Sequence, residues 1–123
     1  MAASAPKPLK FTRAMRIKQG RDFVRTRQEG RRTVTGCLIA NWRQLPAGSA
    51  PRLGVVTSGK IGNSVVRSRA RRLLREVFRT HQHDFNHPVD LVLVARSSIS
   101  GKAYSDVEKD FLTTLRRTGL IRE

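Results

Sequence analysis

The side chains of this chain that are best suited to bind a ligand by charge are concentrated in one basic segment, residues 60–79. The segment carries seven cations against a single carboxylate, that of Glu76. At the helical advance of 100° per residue, its apolar side chains fall on one stripe, all within about 80° of Val66. The stripe consists of Val66, Ala70, Leu73, Leu74 and Val77. The remaining face is predicted to carry Arg71, Arg72, Arg75 and Arg79, while Arg67 and Arg69 flank the stripe.

This distribution predicts a helix that packs on a core with one side and contacts a polyanion with the other. Guanidinium groups stay charged and bind phosphate in a bidentate manner. The alternative is the solvated face of an ordinary amphipathic helix, but such faces mix positive and negative charges. The pattern therefore favours contact with nucleic acid.

The turn before this helix, residues 58–63, contains two glycines, and Asn63 is placed to cap the helix. It lacks the order of residues of a phosphate-binding P-loop. Two interpretations stay open: backbone N–H groups at the helix start that meet a phosphate, or a simple connection between strand and helix. Lys60 is well placed for a phosphate in either case.

Composition supports a nucleic-acid partner. The chain has 123 residues, of which 38% are hydrophobic, and a formal net charge of +16. This length predicts one domain with a real core. So much like charge destabilises a compact protein unless a polyanion neutralises it. A membrane surface is the weaker candidate, because no apolar segment approaches the roughly 18 residues of a spanning helix. The single cysteine, Cys37, precludes an internal disulfide and suits a reducing cytoplasm, where we expect the protein.

No catalytic apparatus is evident in the sequence. His81, His83 and His87 lie in a polar stretch without a cysteine, which favours exposed side chains over a zinc site. The carboxylates are scattered, and Asp106 and Asp110 fit a helix surface better than a metal cluster. Cys37 is interpreted as a small buried hydrophobe rather than a reactive thiol.

Periodicity and turn residues predict an α-β-β-α-β-α order in a single α/β (α+β) domain, with helices packed on a small sheet. The predicted elements are a helix over 20–28, strands over 33–43 and 52–57, the arginine helix to about residue 80, a strand over 89–95 and a helix over 104–117. In the first strand, Val34, Leu38, Ala40 and Trp42 are expected on one side. The strands on either side of the arginine helix are expected to run parallel, and the general rule gives a right-handed crossover.

The string from Arg52 to Phe78 resembles the protein subunit of bacterial ribonuclease P. That family carries a lysine-glycine-asparagine turn and then a helix with an arginine-asparagine-arginine core. The corresponding residues here are Lys60, Gly62, Asn63, Arg67, Ser68 and Arg69. Weaker matches lie at residues 15–18, 22–23 and 90–96, so the resemblance covers roughly residues 14–118. Residues 1–14 are then expected to form a flexible basic tail, and residues 119–123 a short C-terminal tail.

The resemblance implies a two-layer sandwich with a left-handed crossover through the arginine helix, an exception to the general rule. It implies that this helix meets a catalytic RNA, and that a cleft between the first helix and the sheet holds the single-stranded 5′ leader of precursor tRNA. The implied RNA-binding residues are Lys60, Asn63, Arg67, Ser68, Arg69, Arg71, Arg72 and Arg75. The implied leader-cleft residues are Phe23, Arg27 and Asn41. From the residues alone, Phe23 is either a core anchor of the first helix or a stacking platform for a base.

Three positions depart from the family pattern. Ser68 replaces an asparagine, Gly59 stands where a second lysine is common, and Arg27 occupies the place of a second aromatic residue. Leader binding in this chain is therefore expected to rely more on charge and less on stacking.

The function that the resemblance implies is that of the protein cofactor of ribonuclease P, an endoribonuclease that forms the mature 5′ end of tRNA. Its partners would be the catalytic RNA, with one protein per RNA, and precursor tRNA. Catalysis would belong to the RNA with its Mg²⁺, and the protein is expected to bind no metal or cofactor tightly. The alternative is a ribosomal protein or a general RNA chaperone with no part in cleavage.

Overall fold

The computed structural model describes residues 10–18 and 20–121. Seven principal elements follow one another: α1 (Gly20–Glu29), β1 (Arg31–Thr35), β2 (Leu38–Gln44), β3 (Arg52–Val56), α2 (Ser64–His81), β4 (Val89–Ala95) and α3 (Tyr104–Arg117). Single 3-10 turns lie at Arg13–Met15, Gly59–Ile61 and Ser97–Ile99. The three predicted helices are confirmed, as are the strands that begin at Arg52 and Val89.

The four strands form one sheet in the order β1-β2-β4-β3. The central strand β4 pairs antiparallel with β2 and parallel with β3. The predicted parallel arrangement of the strands around the arginine helix is thus confirmed, and α2 forms the crossover between these two neighbours. The left-handedness of this β3-α2-β4 crossover stays a prediction.

The single strand predicted over residues 33–43 is wrong, because β1 and β2 are the two arms of a hairpin. Gly36 turns the chain with a φ of +53°, a conformation that favours glycine. A carboxylate oxygen of Asp110 in α3 accepts a hydrogen bond from the backbone N–H of Cys37 at 3.0 Å. The hairpin reverses the side-chain alternation, so Val34 pairs with Ile39 and does not share the face of Leu38.

The main hydrophobic core lies between one face of the sheet and the helices α2 and α3. Alternate residues of the strands supply its sheet side: Leu38, Ala40 and Trp42 from β2, Leu53 from β3, and Val89, Leu91, Leu93 and Ala95 from β4. The helices contribute mainly Leu74, Val77, Phe78, Phe111 and Leu115. Strand β4 is buried on both faces, because α1 contacts the sheet from the opposite side.

Both ends of the described chain contact this domain. Phe11 packs edge-on against Phe78 with ring centroids 5.9 Å apart, and Leu120 and Ile121 are buried in the core. The first nine residues of the expected basic tail, and the last two of the expected C-terminal tail, lie outside the described residues.

A buried ion pair network ties α1 to the sheet. Asp90 at the start of β4 is fully buried and binds Arg52 through two hydrogen bonds of 2.8 and 2.7 Å. Its Oδ2 also accepts a bond of 3.0 Å from Arg43 in β2. Arg52 in turn lies 3.6 Å from Asp22 in α1. Three strands and the first helix are therefore joined through two carboxylates and two guanidinium groups, with Asp90 and Arg52 at the centre.

The two long helices are joined by His81 at the end of α2. Its Nδ1 lies 2.7 Å from an Asp84 oxygen, and its Nε2 lies 2.8 Å from Glu108 of α3. Tyr104 donates a hydrogen bond to the same Glu108 carboxylate at 3.3 Å. Burial lowers the pKa of His81, but the hydrogen bonds to Glu108 and Asp84 outweigh it and leave a raised pKa. Both ring nitrogens can donate only in the charged imidazolium, which this arrangement favours.

We expect the free energy of unfolding to fall as the pH rises through the raised pKa of His81. A group with a raised native pKa stabilises the fold fully below its unfolded pKa, near 6.5, and this stabilisation is lost as it deprotonates. The slope of one released proton is at most about 1.4 kcal/mol per pH unit. Urea unfolding of the wild type and of His81→Gln between mildly acid and mildly alkaline pH measures the effect. The His81→Gln variant should be less stable at low pH, and the difference should shrink as the pH rises.

The matched control is His87→Gln, since His87 makes no ion pair with any described residue. It should keep the pH dependence of the wild type. If the difference in unfolding free energy between wild type and His81→Gln does not change with pH, His81 is not charged in the folded protein and this explanation is wrong.

Candidate nucleic-acid interface

Helix α2 presents the basic side chains of the sequence motif in a fixed arrangement. The helix begins at Ser64, and the side chain of Asn63 caps it by accepting a hydrogen bond of 3.1 Å from the N–H of Val66. Ala70, Leu74, Val77 and Phe78 are buried, which places the centre of the buried stripe about 40° from the predicted one, on the side of Phe78. Val66 and Leu73 are consequently only half-buried.

This rotation separates the two arginines that were expected to flank the stripe. Arg69 is exposed, whereas Arg67 is half-buried and its Nε is buried without a hydrogen-bond partner among the described residues. Phe78 explains the shift, because its ring fills the core between Phe11 and Phe85 and draws that side of the helix inward. Arg67 therefore lies at the edge of the packed face, and Arg69 projects into solvent.

The other cations of the helix form a continuous surface. Arg71 is anchored by hydrogen bonds from its guanidinium to the hydroxyls of Thr57, at 2.7 Å, and Ser68, at 3.1 Å. Arg72 is exposed and Arg75 is half-buried. Ser68, in the place of the family asparagine, thus holds an arginine by its side chain instead of presenting an amide.

The turn before α2 adds Lys60 to this surface. Lys60 is exposed in the 3-10 turn Gly59–Ile61. The side chain of Ile61 is buried and anchors this turn to the domain. Gly62 follows with a φ of +148°, and a Cβ there would lie 2.8 Å from that of Val66. Glycine alone adopts this φ readily and has no Cβ to collide with Val66. Gly62 is therefore required to bring the turn close against the first turn of α2.

The face of the sheet that α1 contacts brings together the three predicted leader-cleft residues. Phe23 lies directly over Gly54, where a Cβ would come within 2.5 Å of the ring. Asn41 lies in the same cross-strand row, in register with Val92 and hence with Gly54, and is buried. Arg27, one helical turn after Phe23, is exposed. Phe23 is half-buried, so it anchors α1 and keeps part of its ring accessible.

Two features of this face escaped the sequence analysis. The first is a row of four aliphatic side chains, one per strand, which we call the aliphatic row: Val34, Ile39, Val94 and Val56. Val34 is 41% exposed and Val56 37%. The second is Arg32, which is exposed beside Asn41 on the edge strand. Correct placement of the hairpin would have revealed both, because alternation along β1 then assigns Val34 and Arg32 to this side.

The two surfaces meet at the end of β3. Val56, the last residue of the strand, belongs to the aliphatic row. The next residue, Thr57, accepts the hydrogen bond from Arg71 of α2. One molecule that follows the edge of the domain can therefore contact the aliphatic row and the arginine surface together.

Several of the polar residues considered for catalysis have structural roles. Burial and the adjacent Asp110 raise the pKa of the Cys37 thiol to about 12, so the thiol stays protonated and inert. Asp106 accepts a hydrogen bond from the N–H of Ala103 and caps α3. Across residues 10–18 and 20–121, no three His, Cys, Asp or Glu side chains converge as metal ligands. No helix in this part of the chain has the length and apolarity needed to cross a membrane.

Comparison with known proteins identifies similar sequences over nearly the whole chain. A family model described as Ribonuclease P matches residues 11–119. A ribonuclease P protein component from Syntrophus aciditrophicus is 34% identical over 103 residues, 82% of this chain and 84% of that protein. Another, from Clostridium acetobutylicum, is 31% identical over 107 residues, 86% of this chain and 90% of that protein.

Solved structures share the fold. The RNase P protein of Staphylococcus aureus superposes with a TM-score of 0.79 at 23% identity, over 88% of this chain and 98% of that one. The RNase P protein of Thermotoga maritima gives a TM-score of 0.72 at 26% identity, over 83% and 96% of the two chains. The predicted α+β fold with a parallel pair is confirmed.

The approach of Phe23 to Gly54 makes a prediction about stability. Gly54→Ala should lower the free energy of unfolding by about 1–3 kcal/mol, because the new methyl group must displace the Phe23 ring. Phe23→Ala should relieve this clash, so the double variant should lose less stability than the sum of the two single variants, by at least about 0.5 kcal/mol. Urea unfolding of the four proteins measures both quantities.

Gly59→Ala is the control, since nothing lies within 4 Å of the Cβ it would add. It should leave the stability nearly unchanged. Strict additivity of Gly54→Ala and Phe23→Ala would contradict the packing of the ring on β3.

Proposed function

The chain belongs to the ribonuclease P protein family, and from this premise we propose that it is the protein subunit that joins the catalytic RNA to the 5′ leader of precursor tRNA. The arginine surface of α2 binds the catalytic RNA, and the face beside α1 binds the leader. The holoenzyme then removes the leader by endonucleolytic cleavage and forms the mature 5′ end of the tRNA. The reaction belongs to the bacterial cytoplasm, where precursor tRNA is made.

The observation that carries the proposal is the almost wholly positive surface of α2 and its preceding turn, whose one carboxylate, Glu76, is paired with Arg79. Its cations are Lys60, Arg67, Arg69, Arg71, Arg72 and Arg75, and none of them forms an ion pair with a carboxylate of the described residues. A structured RNA supplies the missing anions and releases counterions as it binds. Asn63 and Ser68 contribute by holding the helix start and Arg71 in place.

The leader surface differs from an aromatic platform. Phe23 offers part of one ring, while Arg27 and Arg32 supply charge, and the aliphatic row offers a shallow apolar floor. A single-stranded leader can lay its bases on this floor and its phosphates toward the arginines. Because aliphatic side chains do not stack as aromatic rings do, we expect little preference for particular leader bases.

The chemistry is metal-assisted hydrolysis of a phosphodiester bond, which Mg²⁺ supplies when bound by the holoenzyme. The described residues of this chain do not offer a fitting site, because no three His, Cys, Asp or Glu side chains among them converge and their carboxylates are engaged with arginines, His81 or backbone N–H groups. We therefore assign the metal to the RNA. The protein reduces the repulsion between two polyanions and holds the leader, with one protein for each catalytic RNA.

Replacing both Arg67 and Arg69 by Ala should weaken binding to the catalytic RNA by about 10- to 100-fold at matched salt. Each guanidinium–phosphate contact is a charge-assisted hydrogen bond worth about 1.5–3 kcal/mol, partly offset by solvation at an exposed surface. The slope of the logarithm of affinity against that of salt concentration should decrease by about 2. A filter-binding titration at several salt concentrations measures both.

The matched control removes Arg116 and Arg117, two exposed cations on α3, and so changes the net charge equally. It should retain most of the affinity. Equal losses in the two double variants would show that net charge alone governs binding, and an unchanged affinity in Arg67→Ala with Arg69→Ala would remove α2 from the interface. Selective recovery of ribosomal RNA in place of a large catalytic RNA would favour a ribosomal or chaperone role.

A further inference from the structure

Residues 10–18, which we call the N-terminal strap, cross from the sheet to the far half of α2. At one end, the N–H of Ile17 donates a hydrogen bond of 2.9 Å to the carbonyl of Leu53 in β3. At the other end, the side-chain amide of Gln82 donates to the carbonyl of Lys10, also at 2.9 Å. Phe11 anchors the strap between these ends by packing on Phe78. The strap is therefore a built part of the domain and not a loose extension.

The strap brings an additional cation to the arginine surface. The Arg16 guanidinium carbon lies 5.3 Å from the centre of the Phe11 ring, within the range of a cation–π contact. Arg16 is exposed, so this contact orients its guanidinium without burying it. Phe11 and Arg75 of α2 line the same cavity, so the ring contact brings Arg16 near Arg75, and the charge of Arg16 helps to lower the pKa of Arg75.

A cavity of about 410 Å³ lies where the strap meets the helix. Its lining is Phe11, Ser68, Arg71, Arg72, Arg75, Glu76 and Arg79. Glu76 is engaged by Arg79, which binds both of its carboxylate oxygens. Arg75 and Arg16 have no carboxylate partner among the described residues. The cavity is thus a pocket of converging positive charge with its one lining carboxylate already paired.

The electrostatics of Arg75 agree with this geometry. Burial lowers its pKa, and the charges of Arg16 and Arg71 lower it further. Like charges held together on a folded protein cost free energy unless an anion joins them. A phosphate group fits such a site, because guanidinium forks bind its oxygens in pairs.

We propose that the N-terminal strap and α2 together form a binding site for a backbone phosphate of RNA, in which Arg16 and Arg75 are the ligands. Phe11, which lines the cavity, acts as a positioning residue that holds Arg16 at the cavity's edge, and Arg71 and Arg72 extend the site along the helix. That the RNA is the catalytic RNA rests on the function proposed above. Arg16 and Phe11 lie outside the basic segment of residues 60–79, so the charge pattern of that segment does not identify them.

The test compares Arg16→Ala with Arg13→Ala. Both are exposed cations of the strap, so the two variants change the net charge equally, but the contact with the Phe11 ring, which lines the cavity, is made by Arg16. Arg16→Ala should weaken binding to the catalytic RNA about tenfold and reduce the salt slope by about 1, which corresponds to one lost phosphate contact. Arg13→Ala should change the affinity less than threefold.

Two further variants separate positioning from folding. Phe11→Leu keeps an apolar anchor on Phe78 but removes the aromatic face, so it should lower RNA affinity while the protein still unfolds cooperatively. Arg16→Ala combined with Arg75→Ala should lose less affinity than the product of the two single losses, because both residues bind the same phosphate. Independent effects of the two arginines would overturn the shared site.

The failure of this inference is distinguishable from that of the proposed function. If the wild type binds the catalytic RNA tightly and Arg16→Ala behaves as Arg13→Ala does, the phosphate site is wrong and the function stands. If the wild type shows no preference for the catalytic RNA, the function is wrong. In that case, the two variants are compared on an unrelated structured RNA. A larger loss of RNA affinity in Arg16→Ala than in Arg13→Ala would still support the phosphate site, and equal affinities would overturn it.

Discussion

The arrangement of the sheet depends on the carboxylate of Asp90. It lies at the start of the central strand, fully buried, and binds arginines from both neighbouring strands. A slip of one residue in the register of β4 would turn Asp90 toward α2 and α3, where the core offers it no partner. A buried ion pair of this kind adds little net stability, but leaving its carboxylate buried without a partner costs about 3–5 kcal/mol.

The functional surfaces follow from that register. It places Gly54 beside Val92, which leaves room for Phe23 of α1, and it aligns the aliphatic row across all four strands. Parallel pairing of β3 and β4 requires a crossover, and α2 provides it on the face opposite α1. The arginine surface of α2 and the aliphatic row thus lie on opposite sides of the sheet, and they come together at the end of β3.

Features governed by local pattern could be predicted from the sequence, and features governed by distant contacts could not. The helical period predicted α2 and its cap at Asn63, and the apolar run of β4 predicted burial on both faces. The hairpin at Gly36 was missed because Asp110, 73 residues after Cys37, fixes its turn. Arg16 was given no role for the same reason, since Phe11, the ring it contacts, is held by packing on Phe78 of α2. The helix that carries the motif arginines was predicted, but Phe78 shifts its buried stripe, so Arg67 is half-buried while Arg69 is exposed.

The most direct measurement is cleavage of precursor tRNA by a bacterial ribonuclease P RNA at low Mg²⁺, with and without this protein. Mg²⁺ and the arginine surface both neutralise RNA charge, so the protein should matter most where the metal is scarce. We predict that correct formation of the mature 5′ end under these conditions requires both the RNA and the protein. Tight binding of the protein to the RNA without any increase in cleavage would contradict the account and leave a general RNA-binding protein.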